Sequence, residues 1–220
     1  MALYNQIAIA PRQRLRAKVR KQQIVQVVLK LIAERGVEAV STQLIADTIG
    51  LTQGAVFRHF STKEEVWSAV ITWLEDQLRS IWSKTGLEQP DHDGITALEQ
   101  MFLGHIELIE QYPGLAKFIM SDDVRQQFPS LNRRFAALVQ EYAHEVEEVI
   151  KVIAKEANLP KSFDREAAVT MYFCAIQGLG FQFSIAHLIP SLRKEAPRIF
   201  KLLLRAFGIE SAGRNKVRRG

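Results

Sequence analysis

The chain has 220 residues, 47% of them apolar and 24% charged, which suits an ordinary globular protein with one generous domain or two small ones. Its net charge of +5 is unevenly placed: Arg12, Arg14, Arg16, Lys18, Arg20 and Lys21 crowd one end, and Arg214, Lys216, Arg218 and Arg219 close the other. A single cysteine, Cys174, excludes an intrachain disulfide, and no basic segment followed by a long apolar run suggests an export signal.

In chain order, apolar residues recur at helical spacing. Ile24, Val28, Leu31 and Ile32 form a stripe that stops at Gly36, and Leu44, Ile45 and Ile49 form a second, capped by Ser41 or Thr42 and ended by Gly50. Thr52 can cap a further helix reaching about His59. Ser61-Thr-Lys-Glu64 has capping-box spacing and opens a long helix through Val66, Val70, Trp73, Leu74 and Ile81. The Thr85–Gly94 stretch is rich in turn residues. A helix carrying Leu98, Phe102, His105, Ile106 and Ile109 follows and stops at Tyr112-Pro113-Gly114.

Leu115 to Met120 predicts a short helix and Asp122 to Phe128 an irregular bridge. Pro129 suits the first turn of a long helix that Asn158-Leu-Pro160 ends. Two last helices are expected over Asp164–Leu188 and Pro197–Phe207, the second closed by Gly208. Met171 to Pro190 holds no Lys, Arg, Asp or Glu. Gln177, Gln182, Ser184 and His187 interrupt it, so a helix covered on most sides is expected there, not a membrane span. Cys174, among Met171, Tyr172, Phe173, Ala175 and Ile176, reads as a buried thiol. The expected fold class is all-α. A helix-turn-helix domain over residues 12–70 precedes a helical ligand-binding and dimerisation domain over 71–210, with residues 1–11 and 211–220 as flexible ends.

Ala46, Gly50 and Val56 carry the chemistry indirectly. Two short helices that cross closely need a small residue at the contact, a glycine at the turn and an apolar anchor on the second helix. These three residues fill those roles, with Ile45, Ile49 and Leu51 completing a small core. Such rigidity serves presentation of an outer face to a major groove. Thr52 can meet a phosphate, the Gln53 amide suits a base edge such as adenine, and Gly54 and Ala55 keep the approach close. Arg58 can reach guanine or phosphate, His59 and Lys63 phosphates, and Thr42 and Gln43 the flanking backbone. The basic arm of Arg12, Arg14 and Arg16 fits phosphates or a minor groove.

With Thr42-x-x-Ile-Ala-Asp47, Gly50-Leu-Thr-Gln-Gly-Ala-Val-Phe57, His59-Phe60 and Ser61-x-Lys63-Glu64, the sequence resembles the TetR family of bacterial transcriptional regulators. The likeness covers roughly the first third of the chain, from Gly36 to Val70. Members often carry tyrosine where Phe57 stands, so Phe57 is expected to pack near the DNA backbone without a polar contact. The resemblance implies a cytoplasmic, nucleoid-associated homodimer on a palindromic double-stranded operator, most simply a repressor. It also implies a small molecule in the C-terminal bundle that releases the DNA, no cofactor and no membrane.

Physics supports a dimer independently, since one short helix selects too little and two half-sites roughly 34–36 Å apart multiply discrimination. Gly178 and Gly180 would permit close approach of two copies, and Phe181, Ile185, Ile199, Leu202 and Leu203 would supply apolar area. An apolar or aromatic effector is expected among Phe102, His105, Ile109, Phe118, Tyr142, Met171, Cys174 and Gln177. The helix from Lys63 toward Lys84 is the expected lever. A regulator without an effector is the alternative. Catalysis is not expected: there is no Gly-x-Ser-x-Gly, His-Glu-x-x-His or phosphate loop, and the Glu141 and His144 pair lacks the second pair a metal site would need.

Overall fold

The computed structural model describes residues 4–85 and 93–209, and side chains from residue 19 onward. The arm side chains of Arg12, Arg14 and Arg16, the Asp91-His92 pair and the C-terminal basic cluster lie outside that description. Ten α-helices and no strand run through the described residues: α1 (Tyr4–Arg35), α2 (Thr42–Ile49), α3 (Gln53–Phe57), α4 (Lys63–Trp82), α5 (Gly94–Gln111), α6 (Gly114–Ile119), α7 (Asp122–Gln127), α8 (Pro129–Glu156), α9 (Arg165–Ser184) and α10 (Leu192–Ala206). The all-α expectation holds. The first helix starts at Tyr4, inside the segment expected to be a flexible end.

The chain divides into two compact units at other limits than 12–70 and 71–210. One comprises residues 1–77 and 112–137, the other 78–111 and 138–220, so α4 and α8 each contribute to both.

In the first unit, Ile24, Val25, Val28, Leu29 and Ile32 of α1 are buried, as are Val66, Trp67, Val70, Ile71 and Leu74 of α4. What draws residues 112–137 into this unit is backbone contact with α1. A β-carbon on Gly114 would lie 2.1 Å from the Leu29 carbonyl oxygen, so only glycine lets α6 sit this close. Lys117 Nζ donates to the Ala33 carbonyl at 2.6 Å, satisfying a free oxygen near the end of α1. Trp67 meets Phe118 at 5.4 Å and Trp73 meets Tyr112 edge-on at 4.7 Å.

The expected irregular bridge from Asp122 to Phe128 is mostly helix. Ser121 Oγ accepts from the Val124 N–H, and Asp122 and Asp123 complement the positive end of the first turn. The start of α8 is bonded to α4 by polar side chains. Ser130 Oγ donates to Glu64, and Arg134 donates to Glu75 twice (2.8 and 2.6 Å), to Ser68 and to Thr72.

The second unit is built on α5, whose Ala97, Leu98, Met101, Phe102 and Ile106 are almost fully buried. Phe102 contacts Tyr172 of α9 and Phe200 of α10 at 5.6 and 5.4 Å. Helix α9 is shorter than expected, ending at Ser184 instead of Leu188, with Asp164 as its cap. Helix α10 begins at Leu192, five residues before the expected Pro197, because Glu110 Oε1 accepts from both Ser191 Oγ and the Leu192 N–H. Pro197 lies inside the first two turns. No helix among the described residues is long and apolar enough to cross a membrane.

Candidate nucleic-acid interface

The helix-turn-helix is assembled as the small-residue pattern requires. Ser41 Oγ caps α2 by accepting from the Leu44 N–H, and Gly50 ends it in the left-handed region at φ +66°, a conformation that favours glycine. The Ala46 carbonyl accepts from the Leu51 N–H at 2.9 Å and closes the turn. Ala46 and Val56 have no exposed surface and Ile45 almost none, while Ile49 and Leu51 are half-buried. Thr52 Oγ1 accepts from the Ala55 N–H and starts α3, which is only five residues long.

This clamp turns one edge outward. Gln43, Thr52, Gln53, Gly54, Phe57, Arg58 and Lys63 are exposed, and Thr42, Ala55 and His59 are half-buried. All ten sequence-predicted residues therefore belong to one unit and none is in its core. Their roles differ in detail. Gln43 Nε2 donates to Asp47 at 2.6 Å, which draws it toward its own helix. Gln53 Nε2 donates to Thr42 Oγ1 at 3.1 Å, tying the starts of α2 and α3 together. The Thr52 hydroxyl oxygen is already engaged as a cap, leaving its hydrogen for a phosphate. Phe57, 43% exposed, is an aromatic surface without a polar group.

The helix after this edge starts one residue later than the predicted capping box. Thr62 Oγ1 accepts from the Glu65 N–H, and the Glu65 carboxylate accepts from Ser61 N and Oγ. Those bonds hold Glu65 below the usual carboxylate range. Glu64, the predicted box member, is released to accept from Ser130. Lys63 Nζ sits 5.5 Å over the Trp67 ring and Lys21 Nζ 5.3 Å over Phe60. Partial burial lowers the His59 pKa, and Lys21, Arg20 and Arg58 lower it further. Arg20 and Lys21 were legible only as part of a basic cluster; folding makes them neighbours of the edge.

The residues expected to hold an effector do not all converge. His105 and Tyr142 meet in the second unit, and Phe102 is linked to them through Tyr172. His105 lies 5.5 Å from the Tyr142 ring, Trp82 stacks on Tyr142 at 5.0 Å, and the Tyr142 and Tyr172 hydroxyls are 2.8 Å apart. His105 Nδ1 is buried without a hydrogen-bond partner, and burial lowers the His105 pKa to about 4. Burial raises both tyrosines, so their hydroxyls stay neutral. Trp82, Tyr172 and Phe173 join this cluster without having been predicted for it, since they come from helices other than that of Tyr142.

Ile109 is buried and would touch a β-carbon placed on Gly180. Phe118 belongs to the other unit, where it packs on Trp67. Met171, Cys174 and Gln177 are exposed, because α9 turns Tyr172, Ile176 and Leu179 inward. The expectation of a buried Cys174 is thereby corrected.

The predicted dimer residues also separate. Phe181 and Leu202 are 46% and 56% exposed, and Gly178, Ile185 and Ile199 are half-buried. A β-carbon on Gly178 would meet nothing. Leu203, by contrast, is 5% exposed and fills the unit's own core, as does Gly180, since each lies on the inner side of its helix. Glu141 is taken by a double hydrogen bond from Arg79, and His144 lies 3.9 Å from Glu148. No group of three or more His, Cys, Asp or Glu among the described residues is arranged to hold a metal ion.

Residues 24–70 match the family model described as bacterial regulatory proteins, tetR family. Among curated relatives, the chain is similar to a nucleoid occlusion factor, SlmA, of Haemophilus ducreyi. That protein is 24% identical over 166 residues, 74% of this chain and 80% of the relative. Among solved structures it is similar to the fatty acid degradation regulator FadR of Bacillus halodurans. The TM-score is 0.68 at 17% identity, covering 90% of this chain and 97% of that one. It is also similar to FadR of Bacillus subtilis in complex with stearoyl-CoA, with a TM-score of 0.66 at 16% identity, over 83% and 96%. These solved neighbours are transcriptional regulators, not enzymes. Residues 24–70 therefore match the helix-turn-helix of bacterial regulatory proteins of the tetR family, and the chain shares the all-helical fold of those solved structures.

Proposed function

We propose that the chain works as a homodimeric repressor in the bacterial cytoplasm, gripping an inverted-repeat operator with two copies of the α3 edge and releasing it when a small apolar or aromatic molecule binds. The observation that carries this reading is the outward Gln53–Arg58 edge, fixed from beneath by Ala46, Gly50 and Val56. Thr42, Gln43, Thr52, His59 and Lys63 address the flanking phosphates, and Gly54, Ala55 and Phe57 lie closest to the groove wall. Arg12, Arg14 and Arg16 extend the phosphate contacts along the backbone.

The second copy joins through the outer face of α9 and α10. Met171, Cys174, Gly178 and Phe181 recur on α9 at helical spacing, Leu202 is exposed on α10, and large apolar side chains so exposed favour cover. Cys174 and Met171 are reassigned from the effector site to this face. The effector is assigned to Phe102, His105 and Tyr142, where a neutral imidazole with a free Nδ1 offers one polar anchor in an aromatic setting. The acyl chain of stearoyl-CoA in a structural neighbour is a precedent for an apolar group as ligand. Release is a population shift, with the ligand favouring the state whose two edges are wrongly spaced and α4 as the continuous helix that carries the change.

A selection from random duplexes tests the DNA reading: an enriched inverted repeat supports it, and a flat pool contradicts it. A second reading is an effector-independent DNA-binding regulator, for which the relatives named as nucleoid occlusion factors speak. Gel shifts of the selected duplex against fractionated metabolites separate the two, since loss of the complex requires an effector.

A further inference from the structure

A side-chain amide has two unlike ends, and hydrogen bonding to one of them decides which end faces outward. Gln53 is the first residue of α3 and Thr42 the first residue of α2, and Gln53 Nε2 donates to Thr42 Oγ1 at 3.1 Å. Gln43, the other amide on this face, is engaged with Asp47 at 2.6 Å. Gln53 thus keeps a free acceptor, Oε1, and one remaining Nε2 hydrogen. Thr42, having accepted from Gln53, keeps its hydroxyl hydrogen for a phosphate oxygen. An accepting hydroxyl becomes a stronger donor, so a phosphate held by Thr42 and an amide held by Thr42 reinforce each other.

Building on the DNA reading above, we infer that Thr42 is a positioning residue that fixes the Gln53 amide with Oε1 toward the major groove. Gln53 then selects bases that carry an exocyclic amine there, adenine or cytosine, over the keto bases guanine and thymine. Adenine N6 and cytosine N4 donate to Oε1, and adenine N7 can also accept the remaining Nε2 hydrogen. Guanine and thymine present O6 and O4, two acceptors facing an acceptor. An amide not held by Thr42 would turn over and take either pattern, so the preference belongs to the pair of residues and not to Gln53 alone. Ser41, not Thr42, caps α2, so the threonine hydroxyl is free of a folding role at the helix start.

The test uses the full chain and the repeat enriched from random duplexes. The position read by Gln53 is the one whose preference disappears in Gln53→Ala. Affinity is then measured with each of the four bases at that position in one half-site. The wild-type chain is expected to favour adenine or cytosine over guanine and thymine by roughly fivefold, the size of one hydrogen bond. Thr42→Val should lower that ratio to about one while preferences elsewhere and thermal stability persist, and Thr42→Ser should restore it. A wild-type preference for keto bases, or a ratio that survives Thr42→Val, overturns the assignment and leaves the DNA reading standing. A pool in which no repeat is enriched overturns both.

Discussion

A β-carbon added to Gly54 would meet no atom within 4 Å, so Gly54→Ala disturbs no packing and adds helix propensity at an exposed site. Thermal stability should be unchanged or slightly raised, whereas operator affinity should fall by about tenfold or more as the methyl group meets the groove wall. Parallel melting and gel-shift measurements check this, and equal affinity would remove Gly54 from the contact.

His59 gives a pH dependence at the same edge. Burial and then its cationic neighbours Lys21, Arg20 and Arg58 hold its pKa below 6.5 in the free protein. A DNA phosphate beside it favours the charged ring, so binding takes up a proton. Operator affinity should therefore fall as pH rises toward and past 6.5, and His59→Gln should flatten the profile.

His105 acts on folding instead. The unfolded chain takes its proton near 6.5, the folded chain only near 4, so stability is full above 6.5 and is lost as pH falls toward 4. The loss reaches up to about 3 kcal/mol. The urea midpoint of the wild type should fall more steeply than that of His105→Leu as the solution is acidified from 6.5 toward 4; parallel pH profiles would contradict the assignment.

At this scale the exposed edge around α3 was legible because its signal is local: caps, a turn glycine and their spacing sit within twenty-odd consecutive residues. The inward face of α9 was not. Helix α9 is apolar on nearly all sides, so its periodicity does not say whether Tyr172 or Met171 turns inward.

Among the elements, the junction of α4 and α8 in the first unit is polar where most of the packing is apolar. Arg134 donates to Glu75, Ser68 and Thr72, and the Glu75 side chain is only 12% exposed. Removing the guanidinium leaves that carboxylate covered and unpaired. Arg134→Met should destabilise the protein by about 2–3 kcal/mol, and adding Glu75→Gln should recover part of the loss. Calorimetry of the two variants decides it; additive losses would mean the pair is not coupled.

The sequence marked most elements here by caps and periodicity, yet it misplaced two. Helix α7 is short and polar, held by Ser121 and by Arg125 donating to the Ile119 and Met120 carbonyls, and it carries only one buried apolar residue, Val124. The start of α10 was masked by Pro197, because proline usually marks a first turn, while here a distant carboxylate, Glu110, builds the earlier one. A partner distant in sequence hid the start of α10, whereas α7 was hidden by its shortness and its single buried apolar residue.

For the whole molecule, the all-helical class was readable from periodicity along the chain, and the helix-turn-helix from its first third. The unit limits were not, since residues 112–137 join the first unit through a contact that only Gly114 permits. What remains is the claim that two copies of one outward edge hold a single duplex. Hydroxyl-radical footprinting of the wild-type chain on the selected duplex tests it most directly. Two protected patches related by the repeat's dyad, with centres roughly 34–36 Å apart or a multiple of that spacing, are the expected result, weakened together by Gln53→Ala with Arg58→Ala. A single asymmetric patch, or two patches indifferent to those substitutions, would contradict it.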